Sequence, residues 1–111
     1  MSQEIICTVD DLVKDSGICA LLNINGEQQQ AALFYLPNTE KQVFALGNWD
    51  PIGQANVMSR GMIGSIGDEL VVASPLYKQH FSLESGKCLE EDQSLPVFDV
   101  KIEGQNVVYS A

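Results

Sequence analysis

Basic side chains are scarce in this 111-residue sequence, which has 6 lysines and arginines against 15 aspartates and glutamates. The formal net charge of −9 argues against a nucleic-acid or anionic-membrane partner, because phosphate-rich surfaces would be repelled. No apolar run approaches the roughly 20 residues that span a bilayer. Residues 1–4 lack the basic start and apolar stretch of a signal peptide. These absences predict a soluble, acidic protein.

Cysteine and histidine are also rare. Cys7, Cys19 and Cys88 form no Cys-x-x-Cys pair, so neither a metal-site spacing nor a secreted disulfide framework is present. Cys7 and Cys19 lie in apolar runs, which predicts buried free thiols and a reducing, cytoplasmic location. The one histidine, His80, precedes the apolar Phe81 and is predicted to be a half-exposed strand residue. A serine or cysteine hydrolase site would depend on this histidine alone.

The carboxylates and glycines are not spaced for chemistry. Asp10-Asp11 and the acidic run 90–92 would point to opposite strand faces or lie in loops, so we interpret them as solvated charge. Neither resembles the alternating ligands of a calcium loop. The glycine-rich stretch 61–67 lacks the Lys-Ser/Thr ending of a phosphate-binding loop. Nothing in these patterns predicts a catalytic residue, a metal ligand or a bound cofactor in this chain.

Turn residues interrupt the chain at short intervals, and the runs between them fit strands of 4 to 8 residues. Residues 97–103 alternate between apolar and polar side chains, which predicts one buried and one wet face. The β-branched run 70–73 is typical of an inner strand, and residues 81–89 predict a tight hairpin. Asp10 is expected to cap a single helical turn. The pattern predicts an all-β antiparallel sandwich or barrel that forms one domain over residues 1–111.

The segment LVVASPLYKQHFSLESGKC at residues 70–88 resembles the second half of a Rieske [2Fe-2S] domain. There an apolar strand is followed by Cys-Pro-x-His, a loop, Phe-x-Leu and x-x-Gly-x-Cys. Under this resemblance the cysteine position falls on Ser74 and the histidine position on Tyr77, while the earlier Cys-x-His motif falls on Asp50 and Ile52. The likeness extends over roughly residues 4–110, with a signature core at about 42–88. It implies a Rieske-like antiparallel β-sandwich.

All four ligand positions depart from the Rieske pattern, in which two thiolates bind one iron and two imidazoles bind the other. Ile52 and a neutral Tyr77 cannot replace imidazoles, and Asp50 and Ser74 are poor substitutes for thiolates. The three cysteines fall at other positions. The resemblance therefore implies a Rieske fold that holds no cluster.

A narrower resemblance rests on three motifs: NWDPI at residues 48–52, VMSRG at 57–61 and VASPLYKQ at 72–79. They look like elements of the small-subunit family of cytoplasmic NADH-dependent nitrite reductase. This resemblance implies a non-catalytic subunit that associates with a large subunit carrying FAD, sirohaem and a [4Fe-4S] cluster. The reaction that it implies is the reduction of nitrite to ammonium by NADH.

The loops at the former ligand positions carry apolar and aromatic residues, and the interval between Asp50 and Asp68 contains no acid. Exposed groups of this kind are typical of a protein contact. The predicted contact residues for the large subunit are Trp49, Pro51, Ile52, Arg60, Leu76, Tyr77 and Lys78, with Trp49 and Tyr77 as anchors. The same residues could instead fill the space of the missing cluster, and both interpretations stay open.

Two other classes of function also stay open at this point. One is an autonomous redox protein, either a degenerate ferredoxin with unusual ligands or a thiol protein that uses Cys88. The other is a stand-alone Rieske-fold binding module with a changed partner. Colour and iron content would separate the first from a cluster-free subunit, and a gene position beside a large flavin- and sirohaem-type reductase gene would count strongly against the second.

Overall fold

The computed structural model describes residues 3–76 and 78–110. Within these ranges the chain forms antiparallel strands and two short 3-10 helices, Val9–Asp11 and Met58–Arg60, which confirms the predicted all-β class. The strands are β1 (Gln3–Thr8), β2 (Ser16–Ile24), β3 (Glu27–Tyr35), β4 (Val43–Gly47), β5 (Trp49–Asp50), β6 (Ala55–Asn56), β7 (Met62–Ile66), β8 (Glu69–Ala73), β9 (His80–Ser82), β10 (Val97–Phe98), β11 (Val100–Glu103) and β12 (Asn106–Ser110). In the described part of the chain no helix has the length and apolar character to cross a membrane.

The strands pair into four sheets. One has four strands in the order β10-β4-β3-β2, two have three strands in the orders β1-β12-β11 and β7-β8-β9, and the fourth is the short pair β5-β6. Hairpin turns join neighbours, as at Asn25 and Gly26 between β2 and β3, where both residues have positive φ values of 53° and 83°. That conformation matches the right-handed twist of the flanking strands and explains the Asn-Gly pair.

The hairpin of β3 and β4 is buried on both faces, which is why its residues 31–34 and 43–46 form apolar runs without polar alternation. One face belongs to the first core, which also receives the sheet β7-β8-β9; the other belongs to the second core, closed by β2, β11 and β12. The first core consists of Ala32, Phe34, Leu36, Phe44, Leu46, Met58, Val72, Phe81, Leu83, Cys88 and Leu95. The second consists of Leu22, Ala31, Leu33, Val43, Ala45, Val100, Val107 and Tyr109.

The alternating segment 97–103 behaves as its pattern predicts, with one refinement. Phe98, Val100 and Ile102 are half-buried or buried, while Asp99 and the other polar positions are exposed. The segment is not one strand, however. Its first part, β10, pairs with β4, and after Asp99 its second part, β11, pairs with β12. The change of partner carries the chain from one sheet to the other.

Two local predictions are wrong. The 3-10 helix Val9–Asp11 is capped by Thr8 and not by Asp10, because the Asp11 carboxylate accepts from both the backbone N–H (2.9 Å) and the hydroxyl (3.1 Å) of Thr8. Cys19 is exposed and not buried. It lies on the first-core face of β2, the edge strand of its sheet.

Candidate functional site

Two loops with the same hydrogen-bond pattern lie at one end of the sheet β7-β8-β9. In the first, the carbonyl of Asp50 accepts from the backbone N–H of Gln54 at 2.7 Å. In the second, the carbonyl of Ser74 accepts from the N–H of Lys78 at 3.1 Å. The closing residues Gln54 and Lys78 both have left-handed backbones, with φ values of 58° and 67°. Each loop is thus a single closed turn of five residues.

The first side chain of each loop also binds its own backbone. The Asp50 carboxylate accepts from the N–H groups of Ile52 (2.9 Å) and Gly53 (3.0 Å), and the Ser74 hydroxyl oxygen accepts from the N–H of Leu76 (3.3 Å). The sequence itself contains a signal that the two loops are alike. Asp-Pro-Ile at residues 50–52 and Ser-Pro-Leu at residues 74–76 share one pattern of polar residue, proline and branched apolar residue.

One hydrogen bond joins the two loops. The Ser74 hydroxyl donates to Oδ2 of Asp50, and both residues are buried, with 1% of Ser74 and 0% of Asp50 exposed. With the two N–H donors on Oδ1, both oxygens of the Asp50 carboxylate accept hydrogen bonds, which offset part of the cost of burying this polar group. We refer to this contact as the inter-loop hydrogen bond. It joins two positions that the Rieske resemblance assigns to cluster cysteines.

The other two positions of that resemblance have different outcomes. Ile52 is partly buried and packs against the first core. Tyr77 lies outside the described residues. Its neighbour Leu76 is 44% exposed, and its side chain lies so close to Gly53 that a Cβ there would be 2.4 Å from Leu76 Cδ1. Glycine at position 53 therefore allows the two loops to touch.

The registers of β7, β8 and β9 show which residues share this end of the sheet. Met62 faces Ala73, and Ala73 faces His80, so the start of β7, the end of β8 and the start of β9 lie side by side. Arg60 lies two residues before the start of β7, and Lys78 lies two residues before the start of β9. Both are exposed, and neither forms an ion pair with a described residue. The loops 50–54 and 74–78 together with Arg60 form a surface that we call the tip.

Trp49 is half exposed but does not belong to the face that carries the inter-loop hydrogen bond. It precedes Asp50 on β5, so its side chain points to the opposite side of the strand. There it lines an open groove of about 480 Å³ together with residues 28–30, Pro51, Asn56 and Pro96. Every residue that lines this groove is uncharged.

Asn48 is a buried residue that the sequence analysis missed. Its side-chain amide donates to Oε1 of Gln30 at 2.9 Å, and its side-chain carbonyl accepts from the N–H of Ser59 at 2.8 Å. Its backbone carbonyl also accepts from the N–H of Met58 at 3.1 Å. Asn48 thereby fixes the 3-10 helix that carries Arg60 against β3. The available signal was a polar residue directly after the buried apolar run of β4.

His80 is half-exposed, as predicted, but its partner was missed. Its backbone N–H donates to Oε1 of Glu90 at 2.8 Å, and its ring Nδ1 lies 2.6 Å from Oε2. The hydrogen bond from the His80 backbone is the main cause that lowers the pKa of Glu90 below its ordinary value, with the ring adding to it. Glu90 therefore binds the loop after β9 to the first residue of β9, and its interpretation as a solvated charge is incomplete. The Cys88 thiol is buried nearby, 3.8 Å from Oε1.

The cysteines and carboxylates do not converge. Within residues 3–76 and 78–110, no group of three or more histidine, cysteine, aspartate or glutamate side chains is placed to hold a metal ion. Cys7, Cys19 and Cys88 are free thiols in three different settings: half-buried, exposed and buried. Burial raises the pKa of the Cys7 thiol, and the charge of Asp11 raises it further.

Comparison with known proteins gives a consistent set of relatives. Residues 3–110 match the family model described as Rieske-like [2Fe-2S] domain. The chain is 46% identical over 88 residues to the nitrite reductase (NADH) small subunit of Escherichia coli strain K12, covering 79% of this chain and 77% of that protein. It is also 40% identical over 103 residues to the nitrite reductase [NAD(P)H] large subunit of Klebsiella oxytoca, which covers 92% of this chain but 10% of that protein.

Solved structures agree with these matches. The solution structure of the nitrite reductase [NAD(P)H] small subunit from Erwinia carotovora has a TM-score of 0.78 at 42% identity, covering 100% of this chain and 83% of that chain. The ferredoxin of carbazole 1,9a-dioxygenase from Nocardioides aromaticivorans IC177 has a TM-score of 0.76 at 16% identity, covering 99% and 98%. The second likeness shows a shared fold alone.

Proposed function

Because this chain belongs to the Rieske-like [2Fe-2S] domain family and to the small-subunit family of NADH nitrite reductases, we propose that it is the small, non-catalytic subunit of an ammonium-forming nitrite reductase. In this proposal residues 1–111 form one Rieske-like domain that acts by associating with a large subunit. The large subunit carries FAD, sirohaem and a [4Fe-4S] cluster and performs the reaction. The complex works in the cytoplasm, which agrees with three free thiols.

The observation that carries this proposal is the match inside the Klebsiella oxytoca large subunit. A segment that matches 92% of this chain makes up 10% of that polypeptide. A domain that is covalently linked to its partner is held at a high effective concentration beside it, so even a modest contact surface is occupied. The separate small chain would make the same contact as an independent subunit.

We further propose that this chain holds no [2Fe-2S] cluster. The residues at the loop junction do not fit one, because Asp50 and Ser74 are hard oxygen donors already used by the inter-loop hydrogen bond. Ile52 brings no donor and packs against the first core. The Cys88 thiol lies in the first core and not at the junction. These observations favour a subunit that contributes surface and shape and leaves electron transfer to its partner.

The test is an affinity purification of the tagged full-length chain from cells grown anaerobically with nitrite, followed by an assay of NADH-dependent nitrite consumption. We expect a large flavin- and haem-containing chain in the eluate, and activity that falls when the small chain is removed and returns when it is added back. Recovery of the chain alone, from cells in which the reductase is active, would contradict the proposal.

A further inference from the structure

The charges of this acidic chain are unevenly placed. Between Asp50 and Glu84 the only acids are Asp68 and Glu69, and both belong to the end of the β7-β8 hairpin opposite the tip. Asp50 itself is fully buried and occupied by hydrogen bonds. The loops 50–54 and 74–78 therefore expose no carboxylate, although the chain as a whole carries a formal charge of −9.

The tip exposes cations around an apolar centre. Arg60 and Lys78 are exposed, and they lie two residues before β7 and β9, the strands that flank the end of β8 on its two sides. The two loops of the tip also carry Leu76, which is 44% exposed, and the half-buried Pro51, which borders the groove at Trp49 as well. Glu90 lies in the segment after β9, and its carboxylate is bound by the backbone N–H and the ring of His80. An apolar centre with a charged rim is the usual anatomy of a protein–protein contact.

We infer that the tip is the surface that docks on the large subunit, and that it fits an apolar patch rimmed by carboxylates. This inference rests on the proposed function and adds the surface and the chemistry of its partner. We expect carboxylates on the partner because the tip carries Arg60 and Lys78 and exposes no carboxylate, whereas the chain as a whole is acidic. Close apolar packing of Leu76 and Pro51 against the partner then contributes to the affinity.

The loops are held in shape before any partner arrives. Each loop closes its own turn, and the inter-loop hydrogen bond fixes one loop to the other. A surface that is already ordered loses less conformational entropy on binding. In this way the buried pair of Asp50 and Ser74 takes over the cross-linking that a cluster gives to the loops of a metal-containing relative.

A second copy of this chain does not suit the tip. A symmetric contact would place Arg60 and Lys78 of one copy against the same cations of the other, and two chains of charge −9 repel each other at longer range. A head-to-tail contact between the tip and the acidic remainder of another copy would appear as concentration-dependent oligomers of the isolated chain. Oligomers that disappear on reversal of the tip charges would overturn the inference.

The decisive experiment compares two charge reversals in the full-length chain. Arg60→Glu with Lys78→Glu changes the tip, whereas Lys41→Glu with Lys101→Glu changes the net charge equally at other places. Lys101 lies on β11, a strand that packs on the second core. Lys41 lies two residues before the start of β4, whereas β5 follows the other end of that strand. Binding of each variant to the purified large subunit is measured at low and high salt, and folding is checked by thermal denaturation.

We expect the tip reversal to weaken binding by about tenfold or more at low salt and to remove most of the salt dependence. The control reversal should change the affinity by less than about threefold. Equal weakening by both pairs, or no weakening by the tip pair, overturns the assignment of the surface. Failure of the unsubstituted chain to bind overturns the proposed function itself, so the two failures are distinguishable.

A matched pair of apolar truncations tests the centre of the surface. Leu76→Ala removes the exposed side chain at the tip, and Ile5→Ala removes one on β1 that is 63% exposed. We expect Leu76→Ala to weaken binding to the large subunit by roughly tenfold and Ile5→Ala to leave it unchanged. Equal affinity of the two variants would overturn the role of Leu76.

Discussion

The hairpin of β3 and β4 and the loops of the tip both bury side chains, but the buried groups differ in kind. The hairpin places apolar side chains such as Phe34 and Leu33 into cores on its two faces. The tip buries a carboxylate and a hydroxyl, and its loops close on left-handed residues. Apolar burial is non-directional, whereas hydrogen bonds fix both distance and orientation. The hairpin thus supplies stability, and the tip supplies a defined surface.

The largest expected effect falls on the hairpin. Phe34→Ala removes a side chain that is 0% exposed in the first core and should lower the free energy of unfolding by about 3–5 kcal/mol. Trp49→Ala removes a larger ring that is 50% exposed and should cost roughly 1 kcal/mol or less. Urea denaturation of both variants measures the difference. Equal losses would favour a structural role for Trp49 over a partner contact.

A smaller and more local effect is expected at the tip. Asp50→Ala leaves two backbone N–H groups and the Ser74 hydroxyl without their acceptor and should cost about 1–3 kcal/mol. Ser74→Ala breaks the same bond from the other side, so the two losses should not add in the double variant. Hydrogen exchange should quicken at the N–H groups of Gln54 and Lys78 and stay unchanged in β3. Additive losses would contradict the inter-loop hydrogen bond.

The contact between Glu90 and His80 should add a stability term that depends on pH. Because the pKa of Glu90 is lowered in the folded chain, its contribution is present above the ordinary glutamate pKa and is lost as the pH falls through the folded value. Glu90→Gln should therefore be less stable than the unsubstituted chain above the ordinary glutamate pKa, and the gap should narrow as the pH falls from that value through the lowered pKa of the folded chain. Chemical denaturation at a series of pH values across this range measures the gap. A gap that widens over the same range would contradict this sign.

The smallest effect concerns thiol chemistry. Burial and Asp11 raise the pKa of Cys7, so a smaller fraction of this thiol is ionised at mildly alkaline pH, whereas Cys19 is exposed. Alkylation followed by peptide mass spectrometry should show Cys19 reacting before Cys7 in the folded chain and both reacting alike after denaturation. Faster reaction of Cys7 would contradict the burial shown here.

The hairpin and the tip also differ in how far the sequence predicts them. Turn residues and apolar runs predicted the all-β class and the inner position of β8, because local chemistry determines both. The division at Asp99 was not predictable, since the choice of sheet depends on contacts far along the chain. The exposure of Cys19 was not predicted for a related reason. Its apolar neighbours face the second core, while Cys19 lies on the other face of an edge strand.

At the tip, the important positions came from a family resemblance, and their chemistry did not. The resemblance identified Asp50 and Ser74 as altered ligand positions, but no sequence pattern predicted the hydrogen bond between their side chains. The repeated polar-Pro-apolar pattern indicates two similar turns, yet their meeting depends on tertiary packing at Gly53. The hydrogen bonds of Asn48 and Glu90 escaped because each joins elements that are separated in the chain.

The central claim is that this chain serves its complex through a surface and without a cluster. The most direct test is the iron and acid-labile sulfide content of the small chain after anaerobic separation from an active complex. The account predicts a colourless chain with neither iron nor sulfide, which restores NADH-dependent nitrite reduction when it is returned to the large subunit. Stoichiometric iron and sulfide in the small chain would contradict it.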